Sequence, residues 1–193
     1  MNKAYVLLFD GYADWEIGLL LYELKTRNGI AVTTFSLTGG EVVSGGGLRV
    51  RPDARIEALE PDEIEILILP GGQMWESFSC DSLTYLVSEL LENGRVVAAI
   101  CGATSYLSKI GVFKLGYKHT SNSIDYLKET DGNYAEGDNY IQKYAVSDRN
   151  LVTASGDGGN EFAYEVLKTT KVYDAEVLPD FSSFWNCRDI RAI

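Results

Sequence analysis

The chain has 193 residues, of which 46% are hydrophobic and 23% are charged, as in an ordinary globular domain. This composition excludes a disordered, collagen-like or disulfide-scaffold protein. The 17 Lys and Arg residues are outnumbered by 28 Asp and Glu residues, which gives a formal net charge of −11. Such an acidic balance argues against binding to nucleic acid or to an anionic membrane, because both need a basic face.

The N-terminal segment and the cysteines predict where the protein resides. The apolar run that begins the chain is short, is broken by Asp10 and has no small-residue cleavage site, so we expect no signal peptide. No apolar stretch is long enough to span a bilayer. The three cysteines are widely spaced and form neither a disulfide framework nor a metal knuckle. We therefore predict a cytoplasmic protein with reduced thiols, no metal and no cofactor.

The first 110 residues alternate apolar runs with amphipathic stretches. Short continuous apolar runs are typical of strands that are buried on both faces, and a helix follows each of three of them. Strand–helix–strand units of this kind predict an α/β fold with a mostly parallel sheet. The predicted strands are 4–9, 30–35, 64–69 and 96–100; the predicted helices begin with Asp14 as N-cap, at Asp81 and after Gly102.

Two further regions have a different pattern. Residues 42–50 surround a triple glycine and predict a small antiparallel hairpin or an excursion, and residues 144–154 predict another hairpin-like pair. A helix follows Gly156, and residues 179–193 form an aromatic tail without a clear period. Because no linker or repeat interrupts the chain, we predict a single domain over residues 1–193, with 179–193 as its C-terminal tail.

Cys101 is the most distinctive candidate for chemistry. It stands between a buried strand and a helix rich in small residues, in the sequence VVAAICGATS. A residue in such a turn has a strained backbone and an exposed side chain, as in a nucleophile elbow. The N–H groups of the following helix favour a thiolate, so we expect a pKa below the ordinary cysteine value. An inert buried cysteine is the alternative that this pattern leaves open.

Two other features should lie at the same edge of the sheet. Gly72 ends the strand before Cys101, and glycines there can present backbone N–H groups to an oxyanion, although a plain turn explains them too. Glu16 lies in the first turns of the first helix. It is either part of a site or a solvated carboxylate that favours the helix dipole.

Taken together, four segments resemble the ThiJ/PfpI family of the class I glutamine-amidotransferase-like superfamily. The resemblance covers about the first 170 residues and implies a flavodoxin-like three-layer α/β/α sandwich with a nucleophile elbow. It implies that Cys101 is the reactive cysteine, that Glu16 hydrogen-bonds it, and that Gly72 and Gly102 supply backbone donors. The segments are YVLLFDGYADWE, ILILPGG, AAICGATSYL and LVTASGDGGNEFAYEVL.

The sequence departs from the family pattern at its histidines. Many members have a histidine directly after the cysteine, where this chain has Gly102. In others a histidine ends the next short strand, and that position matches Asn122, with His119 three residues earlier. A three-residue offset in an extended strand reverses the side chain, so His119 either faces away from Cys101 or swings back where the strand ends. Asn122 is either a neighbour of the site or the N-cap of the next helix.

The resemblance implies a cysteine-dependent hydrolase or lyase acting on a small carbonyl, acyl or peptide-type substrate. Its candidate catalytic residues are Cys101, Glu16 and His119. We expect weak or absent peptidase activity, because asparagine cannot move a proton. A non-catalytic redox or stress-response protein that senses oxidants through Cys101 is the alternative, and a ligand-binding module is a third possibility.

Two further expectations concern protonation and assembly. Burial beside a thiolate should raise the pKa of Glu16, so that it donates a hydrogen bond near neutral pH. The tail residues Phe181, Phe184 and Trp185 are too apolar to leave in water as one patch. Family members commonly pair, and we therefore predict a homodimer.

Overall fold

The computed structural model describes residues 3–27, 29–173, 176 and 178–188, without the side chains of residues 27 and 179–181. It confirms the predicted class, a three-layer α/β/α sandwich around a seven-stranded, mostly parallel sheet. The end of the predicted tail, 189–193, and the side chain of Phe181 lie outside the described residues. None of the described helices is both long and apolar enough to cross a bilayer.

The described part of the chain contains nine strands and six α-helices. The strands are β1 (Lys3–Leu7), β2 (Ala31–Ser36), β3 (Val42–Val43), β4 (Arg49–Val50), β5 (Ala54–Arg55), β6 (Ile66–Leu69), β7 (Val96–Ile100), β8 (Ala145–Asp148) and β9 (Leu151–Ala154). The helices are α1 (Asp14–Tyr22), α2 (Asp81–Glu92), α3 (Gly102–Lys109), α4 (Ile124–Thr130), α5 (Gly159–Thr169) and α6 (Leu178–Phe184).

The sheet has the order β5-β2-β1-β6-β7-β9-β8, in which only β8 is antiparallel to its neighbour. The inner strands β6, β7 and β9 are buried along their whole length, which explains their continuous apolar sequences. Both predicted hairpins are confirmed: β3 pairs antiparallel with β4 outside the sheet, and β8 pairs with β9 at its edge.

The start of α1 differs from the prediction. Ala13 is the N-cap, and Asp14 is the first helical residue. The Asp14 carboxylate instead accepts a hydrogen bond of 3.1 Å from Gly46 N–H in the β3–β4 hairpin. A Cβ atom on Gly46 would lie 2.4 Å from that carboxylate, so the close approach needs a glycine. The hairpin is therefore fixed beside the helix that carries Glu16.

An aromatic cluster supports the turns at the carboxyl edge of the sheet. Trp75 is fully buried and packs edge-on against Phe9 and Phe78, with ring centroids 5.4 and 5.3 Å apart. Its indole N–H donates to Pro70 O at 2.8 Å, which satisfies the polar atom of the buried ring. Because parallel strands end at the same edge, the loops after β1, β6, β7 and β9 meet above this cluster.

Candidate active site

Cys101 occupies the strained turn between β7 and α3. Its backbone has φ 58° and ψ −125°, a conformation that side-chain-bearing residues rarely adopt and that costs about 1–3 kcal/mol. The turn is held because Cys101 N–H donates to Ala154 O at 2.9 Å and Thr104 Oγ1 donates to Cys101 O at 2.6 Å. The geometry is that of a nucleophile elbow, with the thiol partly exposed.

Glu16 approaches the thiol from α1. Its side chain is 3% exposed, its Oε2 accepts a hydrogen bond of 2.7 Å from Gly71 N–H, and its carboxyl group lies beside the Cys101 thiol, close enough for each group to shift the pKa of the other. A Cβ atom on Gly71 would lie 2.4 Å from Glu16 Oε2 and 2.6 Å from Cys101 Cβ. A side chain at position 71 would therefore prevent the close approach of the Glu16 carboxyl group to Cys101.

Burial sets the protonation of this pair. It raises the pKa of Glu16 to about 7, which confirms the predicted direction. Burial and the negative charge of Glu16 also raise the pKa of Cys101 to about 11. The expectation of a lowered thiol pKa is wrong: Gly102 N–H and Asn122 do favour the thiolate, but the two opposing effects outweigh them. Between these values the pair retains one proton.

Asn122 bridges the sulfur and the loop after β9. Its Oδ1 accepts a hydrogen bond of 2.9 Å from Gly156 N–H, which leaves Nδ2 to donate to Cys101 Sγ at 3.5 Å. The alternative role as N-cap of α4 is wrong, because Ser123 caps that helix by accepting from Tyr126 N–H. The position that resembles the family's histidine thus holds an amide with a fixed orientation.

His119 is separated from this arrangement. The ring is fully buried, with Nδ1 2.8 Å from Tyr117 O and Nε2 2.9 Å from the Tyr134 hydroxyl. It stacks on Phe113 at a centroid distance of 3.8 Å. Because both ring nitrogens are occupied by these partners, the geometry corrects the prediction that His119 belongs to the catalytic group. Burial also lowers the pKa of His119, which keeps the ring neutral.

The glycines proposed as oxyanion donors lie on one wall of the site. Gly102 N–H favours the thiolate form of Cys101, and Gly72 N–H has no acceptor among the described residues. A Cβ atom on Gly102 would lie 2.6 Å from Gly72 O, so the two turns approach as closely as glycines allow. The N–H of the adjacent Gly71 is already used by Glu16.

The thiol opens into a cleft of about 450 Å³. The sequence did not reveal several residues that line this cleft, among them the half-buried Tyr126 and the 67% exposed Trp15. It also missed the role of Gly156, where a Cβ atom would lie 2.9 Å from Cys101 Sγ. The Gly156-Asp157-Gly158 run before the last predicted helix was the available signal. Among the described residues, no group of three His, Cys, Asp or Glu side chains is arranged to hold a metal.

Comparisons with known proteins identify the family of this chain. The DJ-1/PfpI family matches residues 2–169. The "Uncharacterized protease YoaZ" of Bacillus subtilis is 36% identical over 185 residues, 92% of this chain and 87% of its own. "Deglycase TK1284" of Thermococcus kodakarensis is 29% identical over 157 residues, 81% of this chain and 91% of its own. A thiJ/pfpI family protein from Bacillus anthracis superposes with a TM-score of 0.87 at 35% identity, covering 98% and 91% of the two chains. The chain belongs to the DJ-1/PfpI family.

Proposed function

We propose that this protein is a cysteine-dependent hydrolase or lyase for small, electrophilic carbonyl compounds, with Cys101 as nucleophile and Glu16 as base. The observation that carries the proposal is the close approach of the buried Glu16 carboxyl group to the Cys101 thiol, both of which pack against Gly71 and Gly156 and line a cleft of about 450 Å³. Relatives named protease and deglycase support an activity of this general kind.

The raised thiol pKa determines how the nucleophile forms. With a pKa of about 11, Cys101 is a neutral thiol at neutral pH, whereas Glu16, at about 7, is substantially ionised. The Glu16 carboxylate takes the proton from sulfur as sulfur bonds to the carbonyl carbon, and the π electrons move to the carbonyl oxygen. Gly72 and Gly102 N–H stabilise that oxygen, and Glu16 returns the proton to it, which gives a hemithioacetal from an aldehyde.

The same geometry disfavours peptide hydrolysis. A cysteine protease uses an imidazole within hydrogen-bond reach of the sulfur to protonate the leaving amine. The nitrogens of His119 contact Tyr117 and Tyr134 instead, and Asn122, which contacts the sulfur, cannot transfer a proton. Turnover should therefore be slow and directed at carbonyls that are already electrophilic.

The proposal is tested by assaying the wild-type protein with Cys101→Ala, His119→Ala and Asn122→Ala variants on a 2-oxoaldehyde and on casein. We expect 2-oxoaldehyde turnover that requires Cys101 and survives in folded His119→Ala protein, and little casein cleavage by any of them. Efficient casein cleavage that disappears with Cys101→Ala or His119→Ala would instead establish a Cys–His protease.

A redox or stress-response role is the second candidate, favoured by the carboxyl group of Glu16 beside the sulfur, where it can hydrogen-bond an oxidised cysteine. Glu16→Gln retains a donor, whereas Glu16→Asp withdraws it. The sensor role predicts that peroxide oxidises Cys101 to a different product in the Asp variant, detected by mass spectrometry. Rapid Cys101 alkylation without turnover of any carbonyl would favour this role, and identical oxidation products in all three proteins would remove Glu16 from it.

The functional unit is proposed to be a homodimer. Phe184 is 73% exposed and Trp15 is 67% exposed, whereas Trp185 packs onto the body and donates to Glu23 Oε1 at 3.2 Å. Exposed aromatic side chains support burial against a second copy. Sedimentation at micromolar concentration should give a dimer, and a monomer would exclude it.

A further inference from the structure

The charges that line the Cys101 cleft all have the same sign. Asp10, Glu16 and Glu76 line it, and among the described residues no Lys or Arg does. Asp10 is held in place because its Oδ1 accepts a hydrogen bond of 2.8 Å from Val43 N–H. A substrate that enters the cleft therefore meets carboxylates on more than one wall.

Glu76 and the Cys101 thiol both influence Tyr126, which lines the cleft. Tyr126 lines the cleft, and besides burial the negative charges of Cys101 and Glu76 raise the pKa of its hydroxyl. Both groups are thus close enough to Tyr126 for their charges to be felt there. Glu76 is exposed, so its carboxylate faces water at the entrance and not the core.

Two cationic side chains close to the cleft, Lys109 and Arg188, have partners outside it. Lys109 Nζ donates to Trp75 O at 2.9 Å and to Glu76 O at 2.6 Å, on the backbone of the turn that carries Glu76. Arg188 lines an adjoining cavity of about 600 Å³ that shares Trp15 and Glu16 with the cleft, and there it pairs with Glu161 at 3.1 Å and stacks over the Tyr144 ring. Neither lines the cleft to balance its carboxylates.

We propose that this cleft selects uncharged or cationic carbonyl compounds and rejects those carrying a carboxylate near the reacting carbon, with Asp10 and Glu76 as specificity-determining residues. The inference rests on the proposed function, because it concerns the substrate of the same site. A carboxylate inside the cleft would lose hydration and face like charges with no cation to pair with it. Rejection by unpaired like charge is an established route to specificity.

The test compares alkylation of Cys101 by iodoacetamide and by iodoacetate, followed at the Cys101 peptide by mass spectrometry. Both reagents bond carbon to the same thiolate and expel iodide, so their rate ratio cancels the thiol pKa and reports the effect of reagent charge. N-acetylcysteine amide supplies the ratio for an uncharged model thiol. The ratio at Cys101 should exceed that reference about tenfold at low salt and decrease at high salt.

Paired variants locate the effect. The Asp10→Asn/Glu76→Gln protein should bring the ratio close to the reference. The Asp62→Asn/Glu92→Gln protein is the matched control, because it removes two exposed carboxylates at the opposite edge of the sheet. Asp62 precedes β6, and Glu92 ends α2 before β7 begins. That control should keep the wild-type ratio. A wild-type ratio equal to the reference, or an equal decrease in both double variants, would overturn the proposal.

A second measurement separates this inference from the proposed function. One ratio compares the kcat/KM for phenylglyoxal with the kcat/KM for its 4-carboxylate, and the reference ratio compares their rates with the model thiol. The kcat/KM ratio should be about tenfold larger than the reference ratio. If neither compound is turned over while the alkylation ratio holds, the proposed function fails and the charge selection stands. If both are turned over equally and the alkylation ratio equals the reference, the selection fails and the function stands.

Discussion

His119 and Asn122 lie three residues apart on the segment that precedes α4, yet they face different environments. His119 is enclosed by aromatic rings and has both nitrogens bonded inside the fold. Asn122 is exposed and reaches both the Cys101 sulfur and the loop at Gly156. Histidine is the more reactive residue type, yet His119 has the structural role. The direction of the side chain, and not the residue type, decides which cavity a residue enters.

The two environments also differ in the way burial acts on them. Around His119 burial lowers the pKa of an isolated base, and the neutral ring satisfies its partners. At Cys101 and Glu16 burial raises two pKa values at once, so the pair stores a proton next to an open cleft. Only the second arrangement leaves a proton that can move during a reaction.

Replacing Cys101 should reduce activity far more than replacing His119. Cys101→Ala should reduce 2-oxoaldehyde turnover by at least about a thousandfold, because it removes the proposed nucleophile. His119→Ala, assayed at a temperature where it is folded, should retain most of its turnover. Steady-state kinetics on both variants provide the measurement, and equal losses would mean that the two regions act together.

Glu16 should make stability depend on pH. Its pKa is raised from 4.5 to about 7 by folding, so the folded state holds more protons than the unfolded state between these values. The stabilisation is complete below pH 4.5 and is lost as pH rises through 7, on the order of 3 kcal/mol in total. Urea unfolding on both sides of this window should show the loss in wild type and not in Glu16→Gln. Parallel pH dependence in the two proteins would contradict it.

His119→Ala should affect stability more than chemistry. It leaves the Tyr134 hydroxyl without its partner and opens a cavity against Phe113, at a cost of at least about 2 kcal/mol. Thermal or urea unfolding measures this cost. The matched variant is Asn122→Ala, which removes an exposed side chain and should change stability far less. Equal unfolding midpoints for the two variants would show that the aromatic pocket does not depend on His119.

The smallest expected effect belongs to Asn122. Asn122→Ala removes one weak donor from the sulfur and frees Gly156 N–H, so turnover should decrease by about tenfold. The loss should appear in kcat/KM for the 2-oxoaldehyde, with Cys101→Ala as the zero point. A variant as inactive as Cys101→Ala would make Asn122 essential for the reaction, which this account excludes.

The sequence was informative where structure is determined locally. The bounds of β7, the start of α2 and the elbow at Cys101 follow from continuous burial and neighbouring residue types, and the structure has them as predicted. The contact between Glu16 and Cys101 was reached only through family resemblance. No local pattern joins a helix start to a distant turn.

Other features depend on contacts that the sequence does not display. The pKa of Cys101 moved opposite to the prediction because burial and Glu16 outweigh the helix N-terminus, and neither magnitude can be read from neighbouring residues. The partner of His119 Nε2 is Tyr134, which comes from a loop after α4. Ser123 and not Asn122 caps that helix, a difference of one residue that frees the amide for the sulfur.

We propose that Cys101 and Glu16 form one coupled acid pair that supplies both nucleophile and base. The most direct test is the rate of Cys101 alkylation by iodoacetamide from about pH 6 to about pH 10, in wild type and in Glu16→Gln. With a thiol pKa of about 11, the wild-type rate should still be rising at the highest pH. Glu16→Gln removes the adjacent negative charge, so its rate should be higher at neutral pH and level off at a lower pH. Superimposable profiles, or a wild-type rate that levels off below the ordinary cysteine pKa, would contradict the coupling.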